Sequence, residues 1–172
     1  VQRVLCHELF HVLSRANEEL RDRCYASIGF EKCEELVFPE ELALRKLTNP
    51  DAPRNEHCLK VKVAGKEQWV IPILFSKEEK YDPESGGEFF RYLQFKLVVV
   101  KRGADGKSVK VILEGATPKL LDVGEVRGFF KQVGKNTSYL IHPEEILADN
   151  FALLVTKKRG LPSPKVVENL RE

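Results

Sequence analysis

The residues best suited to chemistry lie near the start of the chain, where His7, Glu8 and His11 form an H-E-x-x-H string. Residues four apart on an α-helix lie about 40° apart around its axis, so the two imidazoles face the same way. Two such imidazoles can hold one Zn²⁺, and the glutamate between them can reach a water on the metal. The string therefore predicts half of a zinc site together with a general base.

A catalytic zinc usually takes three protein ligands and leaves its fourth position to water, so the two histidines need a third partner. The strongly apolar helix predicted from Pro143 to Lys158 provides Glu145 and Asp149, which share one face. Burying a lone carboxylate is costly unless something compensates its charge. A metal between the two helices would compensate both acids, with Glu145 as a ligand and Asp149 as the acceptor that orients one histidine.

Together these residues resemble the gluzincin-type zinc metallopeptidases, which pair H-E-x-x-H on one helix with E-x-x-x-D on a later glutamate helix. The second motif here has the form E-x-x-A-D, and the resemblance covers these two helices. It implies a zinc-dependent peptidase that acts on a peptide or protein substrate. By that resemblance His7, His11 and Glu145 would bind Zn²⁺, Glu8 would act as general base and then general acid, and Asp149 would support a histidine.

Two features differ from the compact members of that group. The 133 residues between His11 and Glu145 make a much longer gap, which must hold a sheet-bearing segment at 59–114. The sheet that normally precedes the active-site helix, with the edge strand that binds the substrate backbone, is not visible. We expect it either upstream of Val1 or replaced by strands of the 59–114 segment. Since the chain starts almost inside a helix, we expect an N-terminal portion to be missing.

Four further residues and a tripeptide suggest chemistry by position alone. Tyr139 and His142 stand just before the second helix and are candidates for stabilising an oxyanion. The plainer interpretations, which we favour, are an aromatic residue at a strand end and a residue that begins a helix. His57 beside Cys58 suggests a second metal site, although a surface histidine is the commoner case. Asn136-Thr137-Ser138 is a glycosylation sequon, which matters only in a secreted chain.

The remaining pattern predicts an α+β fold in which zincin-like helices pack with a small, mainly antiparallel sheet. Further helices are predicted over 1–28, 40–47 and 119–132, with a short one opening at Ser163-Pro164. Strands are predicted near 59–63, 68–75, 92–101 and 109–113, with a hairpin turn at 103–106 and a loop at 81–87. Pro72 suggests that its strand is an edge or bends. The run from Val4 to Leu13 is apolar nearly all round, which is typical of a buried helix.

Composition limits the partners of the chain. The 172 residues are 42% hydrophobic and carry a net charge of +2, which suits one domain over 1–172 with a mixed surface. No apolar run approaches the ~20 residues that span a bilayer. We therefore expect neither nucleic acid nor a membrane as partner, and the oligomeric state stays open. The four cysteines are expected to be buried free thiols, and a Cys24–Cys33 disulfide is conceivable only in an oxidising compartment.

Two other classes of function fit the same residues. A zinc-stabilised regulatory or binding domain would keep the metal and cleave nothing, although zinc binding alone does not require Glu8. A metal-free α+β interaction domain would contain no bound metal at all. An open metal position that faces an edge strand would favour catalysis over both.

Overall fold

An antiparallel sheet and a group of helices packed on one of its faces make up the fold, as the sequence predicted. The computed structural model describes residues 1–80, 82–85 and 88–171. The helices are α1 (Gln2–Ala16), α2 (Glu18–Ser27), α3 (Glu40–Arg45), α4 (Phe129–Val133), α5 (Pro143–Val155) and α6 (Pro164–Asn169). The strands are β1 (Phe30–Lys32), β2 (Lys46–Leu47), β3 (His57–Val63), β4 (Lys66–Ser76), β5 (Leu93–Arg102), β6 (Val109–Val111), β7 (Leu113–Glu114), β8 (Thr117–Pro118) and β9 (Leu120–Leu121).

The main sheet has the order β1-β3-β4-β5-β6, and all of its pairs are antiparallel. The strands β2 and β9 extend it by pairing with β4 and β5. Side chains alternate between two cores, because successive strand residues point to opposite faces. Leu97 and Val99 face the helices, whereas Val98 and Val100 face the segment that holds Leu36. Both faces of the central strands are therefore covered.

Pro72, which suggested that its strand is an edge or bends, lies inside the central strand β4. On one side it is opposite Leu97 of β5. On the other side, β3 pairs with residues 66–70 and β2 with residues 74 and 75, so the described pairings leave a gap at residue 72. A residue without an N–H is tolerated at that gap because the sheet is locally one strand narrower.

The prediction of a helix over 119–132 was wrong for most of its length. Residues 120 and 121 form β9 against β5, and Asp122 begins a 3₁₀ turn in which Glu125 completes a capping box. Only Phe129–Val133 is α-helical. Gly128, with φ of 93°, precedes this short helix in a backbone conformation that most residues avoid. Pairing with the sheet thus overrides the helical pattern.

The predicted N-terminal helix is interrupted at Asn17, which is extended and caps α2 by accepting a hydrogen bond from the amide of Leu20 at 3.0 Å. The expectation that α1 is buried all round was also wrong. Its inner side buries residues such as Phe10 and Ser14, whereas its outer side exposes an apolar stripe. That stripe consists of Val4, Leu5, Leu9 and Val12.

Helix α5 begins at Pro143 as predicted, with His142 as the residue that caps it. It ends at Val155 and not at Lys158. The chain closes the helix at Lys157, whose φ is 53°, and the Lys158 amide donates to the Leu153 carbonyl as in a Schellman motif. The middle of α5 packs mainly against α1. Its fully buried Ile146, Leu147 and Ala148 share one core cluster with strand residues such as Leu97.

The remaining local predictions are mostly confirmed. The hairpin between β5 and β6 forms, and the short helices α3 and α6 are present. The loop predicted at 81–87 contains a 3₁₀ turn at Pro83–Ser85, while positions 81, 86 and 87 lie outside the described residues.

All four cysteines are free thiols; three are buried and Cys24 is half-buried. None of the described helices is long and apolar enough to span a bilayer.

Candidate metal centre

Helices α1 and α5 pack against each other and bring together the three residues predicted to bind zinc. One potential ligand atom from each of His7, His11 and Glu145 lies within 4.8 Å of the others. The Nε2 atom of His7 is 3.2 Å from Glu145 Oε2, and that of His11 is 3.7 Å from Glu145 Oε1. The two imidazoles therefore present the same nitrogen to one carboxylate.

The other nitrogen of each histidine contacts a second carboxylate. His7 Nδ1 lies 3.3 Å from Asp149 Oδ1, the partner that the sequence suggested. His11 Nδ1 lies 2.8 Å from Glu144 Oε1, a partner that the sequence analysis missed. An imidazole that donates from Nδ1 to such a carboxylate keeps a lone pair on Nε2, the nitrogen that faces Glu145 in both histidines. This is the tautomer that a metal ligand needs.

Glu144 is only 2% exposed, and three donors hold its carboxylate in place. Besides His11, the hydroxyls of Ser14 and Tyr25 donate to its two oxygens. Burial and the negative charge of Glu144 raise the pKa of Tyr25, which keeps this hydroxyl in its donating form. No local pattern could have identified Ser14 or Tyr25, since their contact with Glu144 depends on how three helices pack.

Two loop residues support the remaining acids. Asn49 Nδ2 donates to Glu145 Oε1 at 2.6 Å, and the Thr137 hydroxyl donates to Asp149. Asn49 had no predicted role. Its own side chain also accepts from the Asp51 amide at 2.9 Å, which is the Asx-turn geometry that fixes the loop. Each acid near the centre therefore has a donor besides the histidines.

Glu8, the predicted general base, lies on the outer side of α1 and is exposed. It lines an open groove of about 290 Å³ with Arg3, Val4, His7 and Asp149. The groove thus reaches the metal centre from solvent. Among the described residues its lining comes from α1 and α5, and no strand of the sheet contributes to it.

The two candidates for oxyanion stabilisation differ in position. His142 is buried and begins α5: its Nδ1 accepts from the Glu144 amide and its Nε2 contacts the Arg54 carbonyl, so both nitrogens are engaged. Burial lowers its pKa to about 3. Its interpretation as a residue that begins a helix is confirmed.

Tyr139 is 40% exposed. Partial burial and, to a smaller extent, the negative charge of Glu145 raise its pKa. Residues 134–142, all described, form no strand, so its strand-end interpretation was wrong.

His57 is not on the surface, contrary to expectation. It is 4% exposed, its Nε2 lies 3.3 Å from Asp22 Oδ1, and burial lowers its pKa. The part of the chain that the structure describes has one group of residues spaced to hold a metal, and His57 is not in it. A second metal site at His57 and Cys58 is therefore absent from that part.

The side chain of Asn136, the acceptor of the predicted sequon, is occupied. Its amide nitrogen donates to Asn150 Oδ1 and to the Ser163 carbonyl, both at 2.8 Å. Its oxygen accepts from the Ser163 amide at 2.8 Å. A glycan on Nδ2 would replace one of its two N–H donors, so Asn136 has a structural role in this fold that glycosylation would disturb.

The donor set fits zinc by distance and by charge. Ligand atoms bound at about 2.0–2.1 Å in a tetrahedral site lie about 3.3 Å apart, close to the contacts between Glu145 and the two histidines. Three carboxylates, those of Glu144, Glu145 and Asp149, surround the two imidazoles, and among the described residues the arginine or lysine that pairs with them is Arg3, 3.4 Å from Asp149. A divalent cation would balance this excess of negative charge.

Comparison with known proteins adds no relative: no protein-family model matches the chain, and neither a curated protein nor a solved structure gives a match. The function is therefore inferred from the geometry of the site.

Proposed function

We propose that this protein is a zinc-dependent peptidase of the gluzincin type, which hydrolyses peptide bonds with a water activated by the metal. One observation carries the proposal. His7, His11 and Glu145 meet within 4.8 Å although 133 residues separate the two motifs, and each histidine has a carboxylate behind it. Bare helix packing does not require five polar groups in this arrangement.

The roles of the residues follow from their positions. His7, His11 and Glu145 would hold Zn²⁺, while Asp149 and Glu144 would orient the histidines. When bound there, zinc would supply polarisation of a substrate carbonyl and a water whose pKa is lowered toward ~7. Glu8 faces the open groove, where it would take a proton from the attacking water and pass it to the leaving amine.

Metal content tests the first half of the proposal. Purified protein is expected to contain one zinc per chain after dialysis, with imidazole nitrogen and carboxylate oxygen as ligands by X-ray absorption. His11→Ala should abolish stoichiometric zinc. His142→Asn is the matched control, because asparagine also begins helices well and both ring nitrogens of His142 contact backbone groups rather than the three proposed ligands. Unchanged zinc in His11→Ala would refute the assignment.

Hydrolysis of a peptide library tests the second half. Glu8→Gln keeps the size of the side chain and the metal ligands, so zinc should remain while cleavage is lost. The comparison is made on protein with equal zinc content. Equal cleavage by the wild type and Glu8→Gln would remove Glu8 from the mechanism.

A zinc-stabilised binding or regulatory domain is the second candidate. The observation that favours it is the lining of the groove beside Glu8, which within the described residues includes no strand that could pair with a substrate backbone. If both the wild type and Glu8→Gln bind zinc and neither cleaves any peptide, this candidate replaces the first. A protein without zinc would instead be the metal-free interaction domain.

A further inference from the structure

Cys33 and Cys58, two of the four free cysteines, lie side by side on one face of the main sheet. Cys58 belongs to β3 and is opposite Glu31 of β1. The Cys33 amide donates to the Glu56 carbonyl at 2.8 Å, which continues this ladder by one residue beyond Lys32. Alternate residues of a strand share a face, so Cys33 and Cys58 are diagonal neighbours on the same face.

The two thiols are in contact, because Cys33 donates a hydrogen bond to the sulfur of Cys58. This bond favours the thiolate of Cys58 and lowers its pKa, although burial acts in the opposite direction. The same bond, together with burial, raises the pKa of Cys33. Cys58 is therefore the nucleophile of the pair, and Cys33 stays a protonated thiol beside it.

Arg102 places a positive charge beside both sulfurs. Its guanidinium donates to the Glu31 carboxylate and, at 2.9 Å, to the Lys32 carbonyl. Its charge acts to lower the pKa of both thiols of the pair. Cysteines that react with oxidants lie in electropositive surroundings of this kind. Cys24 differs, because burial raises its pKa and so makes it the poorer nucleophile.

The pair is reached from the edge of the sheet. Cys58 has no exposed surface and Cys33 is 6% exposed. The strand β1, which pairs with the strand of Cys58, is outermost in the order of the main sheet and has three residues. A short edge strand opens locally at a lower free energy than the central strands. Such opening admits a small oxidant such as hydrogen peroxide to two thiols that the fold keeps together.

We propose that Cys33 and Cys58 are a modification site, at which a peroxide converts the two thiols into a reversible disulfide. The Cys58 thiolate attacks one oxygen of hydrogen peroxide, the O–O bond breaks, and hydroxide leaves a sulfenic acid on Cys58. The Cys33 sulfur then displaces the sulfenic hydroxyl, which leaves as water with the Cys33 proton. In sum, two thiols lose two electrons and two protons, and one hydrogen peroxide becomes two waters.

Oxidation of the purified whole chain tests the proposal. After treatment with excess hydrogen peroxide and removal of the peroxide by catalase, alkylation and mass spectrometry count the thiols. The count should fall from four to two, with a mass lower by two hydrogen atoms. Peptide mapping should join Cys33 to Cys58, and dithiothreitol should restore all four thiols. A count that stays at four where free glutathione is oxidised, or a map that joins another pair, would overturn the proposal.

Variants separate the two thiols. Cys33→Ser removes the thiol that resolves the sulfenic acid, so it should form no disulfide and should hold a sulfenic acid at Cys58, which dimedone traps. The matched control is Cys24→Ser, which removes a half-buried thiol outside the pair and should form the disulfide at the rate of the wild type. A disulfide in Cys33→Ser, or its loss in Cys24→Ser, would contradict the assignment.

The stability of the oxidised protein provides a second readout. The bond would join the ends of the segment 33–58 and restrict the unfolded chain, so the oxidised protein should unfold at a higher urea concentration than the reduced protein. A lower urea midpoint would mean that the bond strains the sheet, and the proposal would fail. It would also fail if the link formed only in protein already unfolded by urea.

None of these results bears on the zinc proposal. Neither thiol belongs to the group of residues spaced to hold a metal, and zinc content is measured separately.

Discussion

Glu144 and His11 face each other across the interface between α5 and α1, with His11 Nδ1 2.8 Å from Glu144 Oε1 in a buried contact. The carboxylate in turn accepts from Ser14 and Tyr25, which belong to α1 and α2. Three helices thus fix the orientation of one imidazole. The neighbouring residue, Glu145, belongs to the same turn of α5. One helical turn therefore positions both the carboxylate that orients His11 and the proposed metal ligand.

The first prediction concerns this support. Glu144→Gln should raise the Kd for zinc by about 10–100-fold, because a histidine without its carboxylate partner is less basic and less well oriented. Competition titration with a chelating dye measures the change. Tyr25→Phe should give a smaller loss in the same direction, since it removes one of three donors to Glu144.

The matched control for Glu144→Gln is Glu31→Gln, which changes a carboxylate on β1 that pairs with Arg102. Its affinity for zinc should equal that of the wild type. If Glu144→Gln keeps full affinity while its fold is intact, His11 does not depend on this carboxylate.

The second prediction concerns Asn49, whose amide nitrogen donates to Glu145 at 2.6 Å. Asn49→Asp replaces that donor by a second negative charge. The metal-free protein should lose about 1–3 kcal/mol of unfolding free energy, because a half-buried acceptor then faces another acceptor. Zinc should restore part of the loss. Urea denaturation with and without the metal provides the measurement, and an equal loss in both states would contradict the account.

The third prediction concerns acid stability. Burial lowers the pKa of His142 to about 3, well below its value of ~6.5 in an unfolded chain. Between these pH values His142 binds more protons in the unfolded state than in the folded state. The contribution of His142 to the unfolding free energy is therefore fully present above pH ~6.5 and is lost as the pH falls toward about 3. The unfolding free energy of the metal-free protein should therefore fall by a few kcal/mol over that window.

His142→Asn isolates this effect, because asparagine begins helices well and does not titrate. Denaturant titrations at a series of pH values should show a shallower dependence in the variant. If the two pH profiles are parallel, His142 does not contribute to acid sensitivity.

The fourth prediction tests the packing of α5. Leu147→Ala should cost about 2–5 kcal/mol of unfolding free energy, since Leu147 is fully buried between the helices and the sheet. The same substitution at Leu44, which is 80% exposed, should change stability by less than about 0.5 kcal/mol. Chemical denaturation compares the two. A similar cost at both positions would place α5 outside the cooperative core.

The sequence allowed prediction of the features that depend on local spacing. The i, i+4 pairs His7/His11 and Glu145/Asp149 fixed which side chains share a face, and the start of α5 at Pro143 followed from simple helix signals. The alternation of strand residues likewise predicted most of the sheet. These features need no knowledge of distant parts of the chain.

What the sequence did not reveal depends on contacts between distant segments. Asn49, Tyr25 and Ser14 reach the centre only because a loop and three helices converge there. The segment 119–132 carries a helical pattern, yet pairing with β5 and an early 3₁₀ turn decide its structure. Exposure of the outer stripe of α1 was missed for the same reason, since periodicity does not tell which apolar residues find a partner.

The clustering of three acids around two imidazoles has a consequence for the life of the protein in a cell. Without a metal ion these acids, all on α5, repel one another where the helix meets α1, so the binding energy of the proposed zinc would become folding energy. Scarcity of the metal would then raise the unfolded fraction and expose the chain to degradation. The supply of zinc would set how long each molecule survives as well as whether it works.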